Sequence, residues 1–367
     1  MRVITCLAAS LFLQSAAFAQ LAPETVGTTT MPDPGTNWFI AKTSNGAYVW
    51  DAESGEMHGL LSLSRQTTTV APYAPRGEFY APESYYSRGV HGDRSDIVTV
   101  YDFENLAPIA EIDIPEKLAV LSIEGHLGLS NNGRFLGVFN MTPAQSITVV
   151  DVQNRAFVGE ISTPGCAMIL PVADRDFLMI CGDGTLQLIR LDANGNEADR
   201  TRSNVFFSVQ EDPVYDWPKR TRDGWLMISH AGKAYDVTID GDDIDISEPW
   251  SIVTEEDAEE QWLPGGRQLF TVHRELGFLY ALMHQGEQYT HHDPGTEIWV
   301  VDIEQRRRLH RIELETPAVS VMVTQESAPK LIVADEEGGL HVYDAIKMNL
   351  DRTIEDPGPG ADLFVDF

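Results

Sequence analysis

Residues 97–115 read "IVTVYDFENLAPIAEIDIP". A run of β-branched and aromatic residues closes on Asp102, Asn105 marks a reversal, and a second alternating run follows. Apolar residues recurring every second position describe a strand with one face buried, and an Asp/Asn cluster between two such runs describes a turn. The same grammar returns along the chain as "AYVWDAESGE" (47–56), "ITVVDVQNRAFVGEIS" (147–162), "LQLIRLDANGN" (186–196) and "AYDVTIDGDDI" (234–244). It closes with "IWVVDIEQRRRLHRIEL" (298–314) and "LHVYDAIKMNLDRTIE" (340–355). The closing aspartates are Asp51, Asp102, Asp151, Asp192, Asp240, Asp302 and Asp344, spaced by 51, 49, 41, 48, 62 and 42 residues.

A second hairpin signal lies between the copies. In "LGLSNNGRFLGVFN" (127–140), Asn132-Gly133 suits the positive φ of a tight hairpin turn, and "QLFTVHRELGFLYALM" (268–283) carries Gly277 in the same role. Two hairpins per repeat make a four-stranded sheet, and periods of about 40–50 residues are those of propeller blades. The sequence therefore predicts an all-β fold, a seven-bladed β-propeller of four-stranded antiparallel blades spanning 37–367. A sandwich or an irregular solenoid does not supply such evenly spaced units, and a closed ring leaves no open sheet edge. The C-terminal "DLFVDF" (362–367) is placed to pair beside "NWFIAK" (37–42) and join the chain ends. "TEEDAEEQW" (254–262) predicts one short helical turn.

The chain opens "MRVITCLAASLFLQSAAFAQ", with Arg2, an apolar run and Ala17-Phe18-Ala19 before Gln20. That pattern predicts a secretory signal over 1–19, cleaved after Ala19, then an N-terminal arm over 20–36 and a periplasmic destination. No later stretch has the 18 or so consecutive apolar residues of a membrane-spanning helix, so no membrane association is expected. The formal net charge of −30 repels phosphate backbones and excludes nucleic acid as a partner.

Cys6 leaves with the signal, and Cys166 and Cys181 remain. They bracket "AMILPVADRDFLMI", two apolar runs joined at 172–176, so a hairpin there brings the sulfurs within bonding range. In an oxidising compartment an even pair reads as a structural disulfide, worth about 3 kcal/mol for a loop of this length. A metal held by two thiols is the weaker alternative.

"HQGEQYTHHDPGTE" (284–297) interrupts the sixth unit and holds His284, His291 and His292 with Glu287 and Asp293. It reads as a metal site, a partner-facing loop or a solvated hairpin tip. Adjacent histidines point apart and Pro294-Gly295 stops a helix, so the partner-facing loop is favoured over the metal site. There is no G-x-S-x-G elbow, phosphate-binding glycine loop or zinc-type Cys/His spacing. No catalytic, cofactor-binding or metal-binding residue is predicted on this chain.

"SRGVHGDRSDIVTVYD" (87–102), "PGCAMILPVADRDFLMICGDGTL" (164–186), "WLPGGRQLFTVHRELGFLYALMHQGEQYTHHDPGTEIWVVD" (262–302) and "LHVYDAIKMNLDRTI" (340–354), in this order, resemble the heavy subunit of the quinoprotein amine dehydrogenases. "HHDPGTEIWVVD" leans towards the aromatic-amine rather than the methylamine branch. The resemblance implies a non-catalytic scaffold with no cofactor of its own. Two such chains would hold two small, cysteine-rich light chains, each carrying tryptophan tryptophylquinone that oxidises primary amines to aldehydes. Electrons would then pass to a blue copper protein or a c-type cytochrome. It also implies, through the pattern "YVWD" (48–51), that Tyr48 borders the substrate channel, the alternative being an ordinary strand aromatic. A free-standing periplasmic propeller, either a partner-binding protein or a lactonase-like hydrolase, is the alternative.

Overall fold

The computed structural model describes residues 30–354, 357–358, 360–361 and 363–367. The expected signal over 1–19 and residues 20–29 of the arm lie outside the described residues.

The fold is an all-β propeller, and its strands follow the sequence grammar. The first sheet runs in the order Leu363–Asp366, Trp38–Lys42, Gly46–Asp51, Met57–Ser62. The second runs Ala71–Tyr73, Glu78–Tyr86, Arg94–Asp102, Pro108–Ile114. Leu127–Leu129, Phe135–Asn140, Ser146–Asp151 and Ala156–Ser162 form the third. Cys166–Val172, Asp176–Cys181, Leu186–Leu191 and Glu197–Arg202 form the fourth. The fifth is Lys219–Arg220, Trp225–Ile228, Lys233–Asp240 and Asp243–Ile246, with Trp250–Ser251 added beside Lys233 and Ala234.

The expectation of seven separate four-stranded blades is corrected here. Among the described residues there are five separate blades, four of four strands and one of five, and the remaining eight strands form one continuous sheet. Continuity comes from the 17-residue strand Arg307–Val323. Its first half, Arg307 to Glu313, pairs with Gly295–Asp302, and its second half, Ala318 to Val323, pairs with Lys330–Asp335. No glycine or asparagine turn interrupts "ELETPAV" (313–319), so the backbone stays extended and the ladder passes from one half to the other.

Closure at the chain ends is direct. Phe39 to Lys42 pair antiparallel with Asp366 to Leu363, so the last strand of the chain lies beside the first. Gln268 fastens this seam from the neighbouring sheet: its side chain donates to the Phe364 carbonyl at 3.0 Å and accepts from the Phe364 amide at 2.7 Å.

Burial explains the strand compositions. The fourth strands are wet, as in "EADRTR" (197–202), whereas the second and third strands of the third sheet, "FLGVFN" and "SITVVD", are buried throughout. Phe39, Phe79, Phe135 and Phe177 each stand first or second in a second strand and are fully buried. Each contributes about 1.5–3 kcal/mol by leaving water.

The repeated aspartate has a local cause. Asp51, Asp102, Asp151, Asp302 and Asp344 each accept a hydrogen bond from a backbone amide two or three residues on, at 2.7–3.0 Å. In each turn the residue four beyond the aspartate has positive φ: Gly55, Leu106, Arg155, Arg306 and Met348. Asp192 caps its turn through the Asn194 and Asn196 amides, with Gly195 left-handed. An aspartate that mimics a backbone acceptor, followed by a left-handed residue, reverses the chain in few residues. Gly133 and Gly277 likewise have positive φ in their hairpins. The one α-helix among the described residues, Glu255–Glu259, carries a capping box between Thr254 and Asp257.

Candidate functional site

Alternate connections of an antiparallel sheet fall at opposite ends of its strands. One face of the propeller thus carries the tight aspartate turns; the other carries the connections between sheets and between second and third strands. On this second face the connections are long: 115–126, 203–218 and 286–294 among them. Apolar side chains stand exposed on them, including Val90, Leu121, Met141, Val205, Val209 and Tyr289, with Val90, Val205 and Tyr289 each more than three-fifths accessible. Several of the exposed large apolar side chains thus sit on the connections of this face, the kind of residue an interaction surface uses.

Beneath these loops lies a solvent-open cavity of about 620 Å³ lined by Tyr215, Asp216, Trp217, His230, His291 and His292, with Arg267 and Ile123. Four of its rings form a tilted stack: Tyr215 lies on His230 at 4.3 Å between centroids, and His230 to His291 at 4.4 Å and His291 to His292 at 4.2 Å are tilted by 43° and 45°. The Tyr215 hydroxyl donates to the Pro264 carbonyl at 2.9 Å and fixes the base of the stack. Burial pushes the His230 pKa down to about 4, with His291 adding to the effect, and burial also lowers His291. Asp216 is exposed where it opens onto the cavity, although protein surrounds its carboxyl closely. Burial raises its carboxyl, against a smaller pull from His292 and His291.

Asp216 and Trp217 also line a second space, a channel of about 220 Å³ bounded by the innermost strands. Gly128, Leu170, Lys219, Thr271, Met322 and Phe364 reach it from five different strands and one adjoining Lys–Arg pair.

The histidines singled out in 284–297 do not converge. His284 is buried, and its Nε2 hydrogen-bonds the Thr290 hydroxyl at 2.8 Å. Because that hydroxyl gives its one proton to the Glu287 carbonyl at 2.7 Å, His284 is the donor. His291 and His292 face the cavity instead, while Glu287 and Asp293 stay exposed. The loop is pinned by its first histidine and lends the other two to the cavity wall.

Cys166 and Cys181 are joined as a disulfide, directly opposite each other in the ladder, with the turn at 173–175 between their strands. The bridge is buried, and both cysteines line a small pocket that Phe207 and Tyr215 of the 203–218 connection also line. Tyr48 is half-buried between Ala41 and Leu60 and packs on the cluster of Trp50, Met322 and Val342, between the first sheet and the eight-stranded one. It does not line the cavity or the channel just described. Tyr215, Asp216 and His230 were not anticipated. The available signal was "EDPVYDWPKRTRDGW" (211–225), a Pro-punctuated insert long enough to be a functional loop.

Fold and site together define a β-propeller with one turn-rich face and one face of long loops over a cavity. The chain belongs to the methylamine dehydrogenase heavy chain family, whose model matches residues 30–366. It is 29% identical to the methylamine dehydrogenase heavy chain of Methylophilus methylotrophus over 333 residues, 89% of this chain and 80% of that one. It is 28% identical to the heavy chain of Paracoccus versutus, covering 86% of this chain and 74% of the relative. Among solved structures, a functionally unknown protein from Desulfotomaculum acetoxidans superposes with a TM-score of 0.61 at 11% identity, covering 89% of this chain and 96% of the other, a likeness of fold alone. The lean of the 291–302 stretch towards aromatic-amine heavy chains has no counterpart among these matches, which carry the methylamine name.

Proposed function

We propose that this chain is the scaffold subunit of a periplasmic amine dehydrogenase, and that its loop face seats a small, cysteine-rich light chain. That light chain carries tryptophan tryptophylquinone and supplies the chemistry that converts primary amines to aldehydes. Electrons leave to a blue copper protein or a c-type cytochrome. Two copies of each chain make up the complex.

The observation that carries this reading is the family match over residues 30–366, combined with apolar residues gathered on one face. The rigid channel and turn face hold that surface in place, as a docking interface requires little rearrangement when its scaffold is stiff. Methylamine is the favoured substrate class, after the names of the relatives.

The test is co-expression with a short, cysteine-rich exported product encoded beside this chain. Expected are co-purification in equal amounts and amine-dependent reduction of a redox dye by the complex but by neither chain alone. Purification of this chain free of any quinone-bearing partner under those conditions overturns the proposal.

A further inference from the structure

At the turn-face end of the channel the charges do not balance. Arg220 ends the strand Lys219–Arg220, Arg274 follows the strand Phe270–His273, and both line the channel with Asp366. Arg274 Nη1 lies 3.3 Å from Asp366 Oδ2. Arg220 has a neutral acceptor instead, donating from Nη1 to Asn131 Oδ1 at 2.9 Å. A guanidinium keeps its proton at any working pH, so two permanent cations share one carboxylate.

Neighbouring groups leave this imbalance in place. Arg222 is engaged by Glu275, its Nε 3.5 Å from Oε2. Lys219 is paired with Glu124, 2.5 Å away. Asp216 belongs to the opposite end, under the histidine stack. Gln325 is spent: its Nε2 donates to the Val272 and Val323 carbonyls, each at 3.1 Å, and its Oε1 accepts from the Arg274 amide at 3.0 Å. This bond fixes the backbone from which the Arg274 side chain departs. Burial and the nearness of Arg274 both disfavour the charge on Arg220, with Asp366 pulling the other way.

We propose that Arg220 and Arg274 form a binding site for a small oxyanion at the turn-face end of the channel. A planar guanidinium presents parallel N–H donors that match two oxygens of a carboxylate or phosphate. Arg274 and Asp366 are each more than a third accessible here, so an anion reaches the pair from solvent. The chain's net charge of −30 repels anions at long range, so any saturable anion binding reports a local site and not the general field. Arg220 belongs to the fifth sheet, Arg274 to the turn leaving a strand of the eight-stranded sheet, and Asp366 to the first. A bound anion therefore ties the fifth sheet to the eight-stranded one across the channel, in competition with Asp366. It stabilises the fold by mass action, since only the folded chain assembles the site. The proposal does not depend on the heavy-subunit reading.

Titration calorimetry on the full exported chain, with inorganic phosphate and with acetate at an ionic strength held constant by chloride, tests it. Saturable one-to-one binding is expected from at least one of the two, and which one responds separates phosphate from carboxylate as the ligand. Arg220→Gln should weaken that binding by about tenfold or more, the cost of one charge-assisted pair. Asp366→Asn, which removes the competing carboxylate, should tighten it several-fold. In parallel, the thermal midpoint should rise with the anion for the parent chain and for Asp366→Asn, and stay put for Arg220→Gln. No saturable binding of either anion, unchanged affinity in a folded Arg220→Gln chain, or weaker binding in Asp366→Asn overturns it.

Discussion

The two faces of this propeller are built on opposite rules. On the turn face, an aspartate at the end of a strand caps backbone amides and a left-handed residue completes the reversal, so five connections share one geometry. On the loop face, connections run to more than a dozen residues, carry Val90, Val205 and Tyr289 into water, and roof a cavity lined by three histidines. The lesson is a division of labour: local hydrogen bonds fix one face at little cost in sequence, leaving the other free to vary and to recognise.

That division can be broken most severely where both faces share the chain closure. Deleting residues 363–367 removes Leu363, Phe364 and Val365, all buried, and exposes the edge of Trp38–Lys42. At about 1.5–3 kcal/mol per side chain the loss rivals the whole stability of a domain. The truncated chain should show no cooperative unfolding by circular dichroism.

Next in size is the bridge under the loop face. Cys166→Ser should cost about 3 kcal/mol, read as a lowered denaturant midpoint, because the 15-residue separation is no longer closed in the unfolded chain. If the cost is as small as that of a surface substitution, the loop face is not held from below by this bridge.

Acid should weaken the loop face specifically. His126, buried at the foot of the 115–126 connection against Phe139, has its pKa lowered by burial from 6.5 to about 4, despite a backbone contact at Leu121 that pulls the other way. The unfolded state takes up the proton first. The stability due to neutral His126 is therefore complete above pH 6.5 and falls away as the pH drops towards 4, by about 3 kcal/mol in all. Unfolding midpoints measured across that range should slope, and His126→Phe should remove about one proton from the slope.

The turn face offers a smaller effect. Asp344→Ala loses the caps to the Ile346 and Lys347 amides and should cost about 1 kcal/mol in chemical denaturation, its turn being exposed. Lys347 and these amides hold the Asp344 carboxyl down to about 2, so this cap persists through the acid range that weakens the loop face.

Smallest for stability, and sharpest for function, is Tyr289→Ser. The exposed ring should leave the unfolding midpoint within about 0.5 kcal/mol, yet reduce the yield of light chain that co-purifies. Equal recovery of the partner would move the docking surface away from the 286–294 loop.

Much of the architecture could be read from the residues alone. The period-two runs located the strands, and the closing aspartates located the turns, because both are set within a few residues of chain. The pairing of "DLFVDF" with "NWFIAK" also emerged as expected, since two alternating edge segments at the chain ends have few other partners. The count of separate sheets was not legible. A repeat announces where strands begin, but whether "ELETPAV" breaks between neighbours depends on both halves of Arg307–Val323 finding partners at once. The cavity was hidden for a related reason. His230 and His291 are 61 positions apart in the chain yet 4.4 Å apart as rings, and only the closed propeller brings their loops over one opening.

By itself, then, the sequence determined the β class, the strand grammar, the cysteine pairing and the family likeness, all properties of short segments or of their order. Tertiary structure alone decided how many sheets stand apart, which histidines meet, and that two arginines and one aspartate converge at the end of the channel. Those outcomes rest on contacts between residues far apart in the chain, and no local propensity encodes a distance that only ring closure sets.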